Sequence, residues 1–293
     1  MVPGLCLGWV TFRAYPGCWV LKMELEGSVH QNFGMGLSLF CKGVFMFKSR
    51  VLAIYNRKGG SGKTTVTYNL AHHFSVLGYR VLMVDLDGQA NLTELAGFDP
   101  VSVKSTLAMA VLGNVKIDPV EHHGSLLLAG SSATDGLAFK MQDKAYGELF
   151  VQVFQVLSQR YDVVVIDCPP ALDHLTQCVL GLATDVVVPL ELSKLHYIAA
   201  LKVVQSLGNI GRHTVRGLLP VRVNFRRQVD RGIWQRLKTD FDGTIPVLGP
   251  IFETTQFSQA QYQSLPLRLF SSGHLAVQAF DDVARKLSSG WDR

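Results

Sequence analysis

The chain lacks any apolar run of the ~18 residues that a membrane-spanning helix requires. The short apolar stretch from Leu5 to Val10 has no basic residue before it, so no signal peptide is expected. No C-x-x-C pair occurs among the five cysteines, Cys6, Cys18, Cys41, Cys168 and Cys178. Their spacing suggests neither a zinc site nor a disulfide framework, and a reducing cytosol is the simplest compartment. Internal repeats and low-complexity linkers are absent. Charged residues make up only 17% of the chain against 48% hydrophobic, which excludes disorder and provides for a substantial core. A length of 293 residues suits one large α/β domain or two small ones.

Charge is unevenly placed. The net charge of +5 divides into +3 over residues 1–50, −4 over 51–200 and +6 over 201–293. Residues 1–45 read as a poorly patterned extension, rich in glycine and aromatics, with no two-helix pattern for DNA. Met46 is the expected natural start, and residues 46–293 the folded domain. From residue 51 onward, strands and helices alternate. Strands are expected at 51–55, 81–84, 126–128, 161–166, 185–190, 218–223 and 245–251. Helices are expected at 66–74, 136–159, 195–207 and 274–287. Apolar strands alternating with helices imply an α/β fold with a mostly parallel, twisted sheet covered on both faces.

Between the first of these strands and its helix lies Lys58-Gly59-Gly60-Ser61-Gly62-Lys63-Thr64-Thr65. Strand, glycine-rich loop and helix form the setting of a phosphate-binding loop. Glycines let backbone N–H groups turn inward around phosphate oxygens, and the helix N-terminus adds partial positive charge. Lys63 would reach the β- and γ-phosphates, and the Thr64 hydroxyl would bind Mg²⁺. Arg57 stands where the common loop has glycine, and Lys58 is an additional lysine. By itself Lys58 could be a solvated loop charge.

Two further strands end in carboxylates. Asp85-Leu86-Asp87-Gly88-Gln89-Ala90-Asn91 closes the strand at 81–84, and residues two apart on an extended end project to one side. Carboxylates at that end would position Mg²⁺ ligand waters or orient a nucleophilic water, although an acidic strand-end cap is the plainer alternative. Val163-Val164-Val165-Ile166-Asp167 is an apolar strand ending in an aspartate suited to hold Mg²⁺. Cys168 has no adjacent histidine, which favours packing over nucleophilic chemistry. The pairs His72-His73 and His122-His123 lack metal spacing and read as surface or packing residues.

The loop, the segment Asp85 to Asn91, and the strand ending in Asp167-Cys168-Pro169-Pro170 resemble, in order, the motifs of the ParA/MinD group of deviant Walker A P-loop ATPases. The resemblance covers residues 50–290 and points to the ParA branch. It implies that Lys58 reaches across an ATP-bound homodimer to phosphates on the other subunit. It makes Lys58, Lys63 and Asp87 the catalytic set, with Asp87 directing the attacking water. Asp85 then supports the metal beside Thr64 and Asp167. Residues 58–65 (Lys58, Gly59, Gly60, Ser61, Gly62, Lys63, Thr64 and Thr65) cradle the nucleotide. Asn224 is the candidate base contact, though it could equally cap a turn. Gly88 and Ala90 depart from the family's Pro and Gly, and Gly88 would loosen the loop.

The late third concentrates arginine: Arg212, Arg216, Arg222, Arg226, Arg227, Arg231 and Arg236, with Lys238 alongside and Arg268 further on. Among nearby residues only Asp230 and Asp240 oppose them. Arginine grips phosphates bidentately, so the cluster suggests sequence-independent duplex binding, unless it is an ordinary solvated face. The resemblance implies non-specific DNA binding by the ATP-bound dimer, a ParB-type centromere-binding partner and a cytoplasmic, nucleoid-associated place. A MinD-like positioning ATPase would need a basic amphipathic C-terminal helix, which Asp281-Asp282 argue against. An ATP-gated DNA-binding repressor and a small-molecule enzyme of the dethiobiotin synthetase kind are the remaining alternatives.

Overall fold

Val51, Leu52, Ala53 and Ile54 have no exposed surface, and neither do Val163, Val164, Val165 and Ile166. A strand buried on both sides needs apolar residues without alternation, and such strands sit at the centre of a parallel sheet. The computed structural model describes residues 13–15, 18–20, 49–113, 115–208, 210 and 214–291. By its contacts the chain divides into residues 1–39 and 40–293. In the first unit β1 (Arg13–Tyr15) pairs antiparallel with β2 (Cys18–Val20). The expected extension over residues 1–45, and the start at Met46, otherwise fall outside the described residues.

The second unit runs β3 (Arg50–Ile54), α1 (Lys63–Val76), β4 (Val81–Asp85), α2 (Asn91–Leu95), α3 (Leu107–Gly113), β5 (Val120–His122) and β6 (Ser125–Leu128). It continues with α4 (Ala133–Lys140), α5 (Lys144–Ser158), β7 (Val163–Asp167), α6 (His174–Leu182), β8 (Asp185–Glu191), α7 (Lys194–Leu207) and β9 (Thr214–Val221). Four helices close it: α8 (Gln228–Asp240), α9 (Gln256–Tyr262), α10 (Leu267–Phe270) and α11 (Leu275–Ser288). The seven-stranded sheet has the order β5-β6-β4-β7-β3-β8-β9. Every neighbouring pair is parallel except the β5–β6 hairpin. Its two-residue turn places His123 and Gly124 at φ 47° and 82°, the left-handed geometry that matches strand twist.

Alternate residues of β3 feed two cores. Val51 and Ala53 face α5, α6 and α7 through Phe150, Val179 and Ala200. Leu52 and Ile54 face α1 and α11 through Leu70, Phe74, Phe280 and Val283. The helix expected at 274–287 is thus a packed one: Val277, Phe280, Val283, Ala284 and Leu287 are all buried. No helix among the described residues is long and apolar enough to cross a membrane.

Two expectations need correction. The single helix over 136–159 is two, α4 and α5, with a break at residues 141–143. There the Asp143 side chain accepts from the Ala145 N–H at 3.0 Å and starts a new helix. The strand over 245–251 is instead an extended segment with isolated bridges from Val247 to Leu218 and from Phe252 to Val223. Pro246 and Pro250 have no N–H to give, so the ladder cannot propagate. The segment still hugs β9: Leu248 N–H donates to Leu218 O at 2.8 Å, and Leu218 N–H to Pro246 O at 2.9 Å.

That closeness requires a glycine at 217. A Cβ there would lie 2.5 Å from Leu248 Cγ and 2.8 Å from Pro246 O. Gly217→Ala is expected to destabilise the fold by about 1–3 kcal/mol through overpacking, read as a lower midpoint in urea at unchanged slope.

Candidate nucleotide site

β3 lies between β7 and β8, and β4 flanks β7, so the carboxyl ends of β3, β4 and β7 meet at one place. Register sets Asp167 opposite both Ile54 and Asp85. The loop after β3 turns into α1 through Gly60 and Gly62, at φ 71° and 86°. A side chain at Gly62 would be strained, and would also meet Val221 Cγ2 of β9 at 3.1 Å. No side chain among the described residues caps α1, so the N–H groups of its first turn remain open to an anion.

The charged groups are buried. Lys63 is only 8% exposed, and its Nζ reaches the Lys58 carbonyl at 3.4 Å. Burial pulls this ammonium below its ordinary value, and Asp167 opposes the shift. Thr64 Oγ1 donates to Asp167 Oδ2 at 2.7 Å. Among the described residues, Asp167 Oδ1 is buried with no partner, as is the Ser61 hydroxyl. Burial, reinforced by the charge of Asp85, holds the Asp167 carboxyl well above the usual carboxylate range. An orphaned carboxylate oxygen, a threonine hydroxyl and a desolvated lysine beside free helix N–H groups fit a magnesium-bound polyphosphate.

Asp85 and Asp87 are not equivalent. Asp85 is 2% exposed, and burial pushes its carboxyl up to about 6. Its Oδ2 accepts from the Thr93 N–H and hydroxyl at 2.9 and 2.7 Å, and its Oδ1 from the Asp87 N–H at 3.2 Å. Thr93 Oγ1 accepts in turn from Gly130 N–H at 2.7 Å. Asp85 therefore ties β4 to α2 and to the loop after β6, and it acts on Asp167 through its charge. Asp87 is half-exposed, its Oδ1 accepting from the Gln89 N–H at 3.0 Å. The two differ in burial: register buries Asp85, and the turn leaves Asp87 half-exposed, its charge still acting on Lys63 and Asp167.

The two departures in this loop have physical consequences. A Cβ at Gly88 would lie 2.1 Å from Asp135 Oδ1 of α4, so glycine admits that carboxylate. Ala90 is held at φ 52°, a left-handed conformation that costs a non-glycine residue about 1–2 kcal/mol. Sequence reasoning passed over Thr93, Asp135, Gln261 and Asn56. Gln261 Nε2 donates to Thr65 Oγ1 at 3.1 Å across 196 positions, which no local signal could reveal. Asn56 stands two residues before Lys58, and its side-chain Oδ1 accepts the Lys58 N–H at 3.0 Å.

Asn224 caps a turn. Its Oδ1 accepts from Arg226 N–H at 3.1 Å, its own N–H donates to Asp230 Oδ2 at 2.8 Å, and its Nδ2 lies 3.4 Å from Glu253. The arginines do not form one face. Arg212 falls outside the described residues. Arg216 is half-buried at the start of β9, 3.3 Å from Asp185 and bonded to the Leu287 carbonyl at 2.8 Å. Arg268 grips Asp281 with Nη1 at 2.8 and 2.6 Å, and His73 Nδ1 meets the same carboxylate at 2.8 Å. These two arginines are structural locks. Arg222 and Arg227 are exposed but paired with Glu191 and Glu253, each at 2.7 Å. Arg226 and Arg231 are exposed without an ion pair among the described residues, Arg231 donating to the Phe225 carbonyl. Arg236 pairs with Asp240.

Cys168 is buried with its thiol pushed up by burial, so it packs. His72, His73 and His122 are buried too; Tyr68 bonds His122 Nε2 at 2.7 Å.

The family model described as an AAA domain matches residues 49–216. A sporulation initiation inhibitor protein, Soj, from Bacillus subtilis is 23% identical over 82% of this chain and 98% of its own. The chain belongs to the ParA/MinD family of ATPases. A putative replication protein A from Sinorhizobium fredii is 30% identical over 75% of this chain, which spans just 56% of that relative. Among solved structures of the same fold, cobyrinic acid a,c-diamide synthase from Mycobacterium smegmatis, with bound ATP analog and magnesium, has a TM-score of 0.72 at 28% identity. The match covers 83% of this chain and 96% of that one. The family's mostly parallel P-loop sheet is the one described above.

A buried carboxyl held above its ordinary range costs stability as pH rises from that range through the raised value. Asp167→Asn removes the cost. It is expected to raise the melting temperature of the nucleotide-free protein, by about 2–4 °C for each kcal/mol relieved. It should also weaken magnesium-dependent ATP binding by at least ~10-fold, measured by calorimetry with and without magnesium.

Proposed function

We propose that this protein is a ParA-type ATPase that closes as a dimer around ATP, binds DNA without sequence preference and drives plasmid or chromosome partition. The observation that carries this reading is the loop itself. Lys63 is buried with its Nζ toward the Lys58 carbonyl, while Lys58 stands half-exposed at the rim, free to serve a neighbouring subunit. The likeness to relatives named for chromosome and plasmid partitioning favours a partition setting over other uses of the fold.

In this reading Lys63 and the first-turn N–H groups of α1 hold the β- and γ-phosphate oxygens. Thr64 and Asp167 would hold magnesium, which would supply neutralisation of developing phosphate charge. Asp87, half-exposed on its turn, orients water toward the γ-phosphorus. The partner subunit's Lys58 neutralises phosphate charge from outside, so closure completes the site. Hydrolysis removes the group that Lys58 grips and opens the dimer. A ParB-type partner accelerates that step, and the protein works in the cytoplasm on the nucleoid. Arg226 and Arg231, with Arg222 and Arg227 beside them, supply the DNA contacts.

The cobyrinic acid synthase likeness favours a second reading, an ATP-dependent small-molecule enzyme. That reading leaves the exposed arginines without a purpose. The apolar face of α11 is spent on the core, so that helix has no apolar face to offer a membrane surface.

Lys58→Ala is expected to lower ATP-dependent dimer affinity by about 10–100-fold, the scale of one charge-assisted interaction, while ATP affinity changes far less. Sedimentation with ATP and with ADP reads this; a variant that dimerises normally overturns the sandwich. Arg226→Ala with Arg231→Ala should lower the salt slope of DNA binding by about 0.9 for each phosphate left without its arginine. Arg216→Ala and Arg268→Ala should instead lower the melting temperature and leave the slope unchanged.

A further inference from the structure

Asn56 is fully buried, at the carboxyl end of β3 and two residues before Lys58. A buried primary amide must satisfy both ends or lose stability. Asn56 does so across the sheet. Its Nδ2 donates to the Pro189 carbonyl of β8 at 2.7 Å, 133 positions away. Its Oδ1 accepts the backbone N–H of Lys58 at 3.0 Å. Pro189 is an interior residue of β8, register-paired with Leu219 of β9, so the carbonyl that Asn56 grips belongs to a strand held on both sides. The amide is a strut from a rigid strand to the backbone of one loop residue.

The selectivity of the strut is informative. Gly59 and Gly60 follow Lys58, and a Cβ on either would meet nothing within 4 Å. Both glycines are exposed, and among the described residues nothing stands where their side chains would be. Lys58 is therefore fixed by its N–H, by the Asn56 side chain, and by its carbonyl, which faces Lys63 Nζ at 3.4 Å. His196 at the start of α7 feels the charge of Lys58, and Glu191 lies 3.7 Å from His196.

We propose that Asn56 is the positioning residue for Lys58, setting the direction in which that lysine leaves the loop and hence its reach to phosphate on a second subunit. The inference rests on the dimer reading above and assigns Asn56 no contact with nucleotide. Asparagine is the residue the position needs. Aspartate keeps the acceptor but places a carboxylate against the Pro189 carbonyl, unless it is protonated and donates as the amide does.

The test uses the full chain and four variants: Asn56→Ala, Asn56→Asp, Lys58→Ala, and Asn56→Ala combined with Lys58→Ala. Fluorescent ATP-analogue affinity, ATP-dependent dimerisation by sedimentation, and melting temperature are measured for each. Asn56→Ala is expected to weaken dimerisation by about 10–100-fold, the scale of a misplaced reacting group, and ATP affinity by less than about 3-fold. Added to Lys58→Ala, it should cost no further dimer affinity, since there is no side chain left to aim. Asn56→Asp should dimerise poorly at pH 8 and recover relative to the native protein as pH falls toward 6, where its carboxyl takes up a proton. An equal further loss in the Lys58→Ala background overturns the proposal, as does a matching loss of ATP affinity or a flat pH profile for Asn56→Asp. Should Asn56→Ala fail to fold, the Asn56→Asp pH profile decides alone. Normal dimerisation of Lys58→Ala would instead overturn the sandwich reading, and the proposal with it.

Discussion

A cluster of charge buried at the carboxyl ends of three parallel strands is the constraint on which this molecule depends. Lys63, Asp85 and Asp167 are all more than nine-tenths hidden from solvent. Two carboxyl groups and one ammonium do not balance each other, and one oxygen of Asp167 has no partner among the described residues. Such a cluster persists only where the surrounding structure is stiff enough to hold it. The central strands supply that stiffness. They are apolar on both faces, register-locked through β3, β4 and β7, and packed into two separate cores. The site stores unfavourable electrostatics in a rigid frame, and a bound metal and polyphosphate would relieve it.

The same sheet decides what stands around the cluster. β9 packs Val221 against Gly62 and so props the phosphate loop from outside. The extended segment after α8 is pressed onto β9 at Gly217, and beyond it Gln261 reaches back to Thr65. The C-terminal half is thereby coupled to the loop by interactions of large sequence separation. β9 also explains the scattering of the arginines. Arg216 lies near the start of β9 and Arg222 just past its end, roughly 20 Å of strand away, so they sit at opposite ends of that strand. One closes the lower end by gripping Asp185 and the last turn of α11; the other lies beside the loop, paired with Glu191.

The motifs were legible because each depends on local geometry. A glycine-rich turn between strand and helix needs glycine where φ is positive, and Gly60 and Gly62 meet that need. Apolar runs ending in aspartate announce strands that deliver a carboxylate to one edge. The amphipathic spacing of α11 announced its buried face residue by residue. What failed was what depends on neighbours far along the chain. Two prolines in 245–251 broke a ladder that hydropathy alone suggested. The arginine cluster looked unopposed because Glu191, Glu253, Asp185 and Asp281 are distant in sequence and adjacent in space.

Sequence by itself determined the family, the sheet with its helices, and the residue types that would surround a nucleotide, because those rest on periodicity, turn chemistry and motif spacing. Tertiary structure alone decided which carboxylate is buried and which is presented, which arginines are structural locks and which are open, and that Asn56 joins the loop to β8. The physical reason is the same in each case. Burial and hydrogen-bond pairing belong to residues brought together across the sheet, and no local pattern records which distant partner will satisfy a buried polar group.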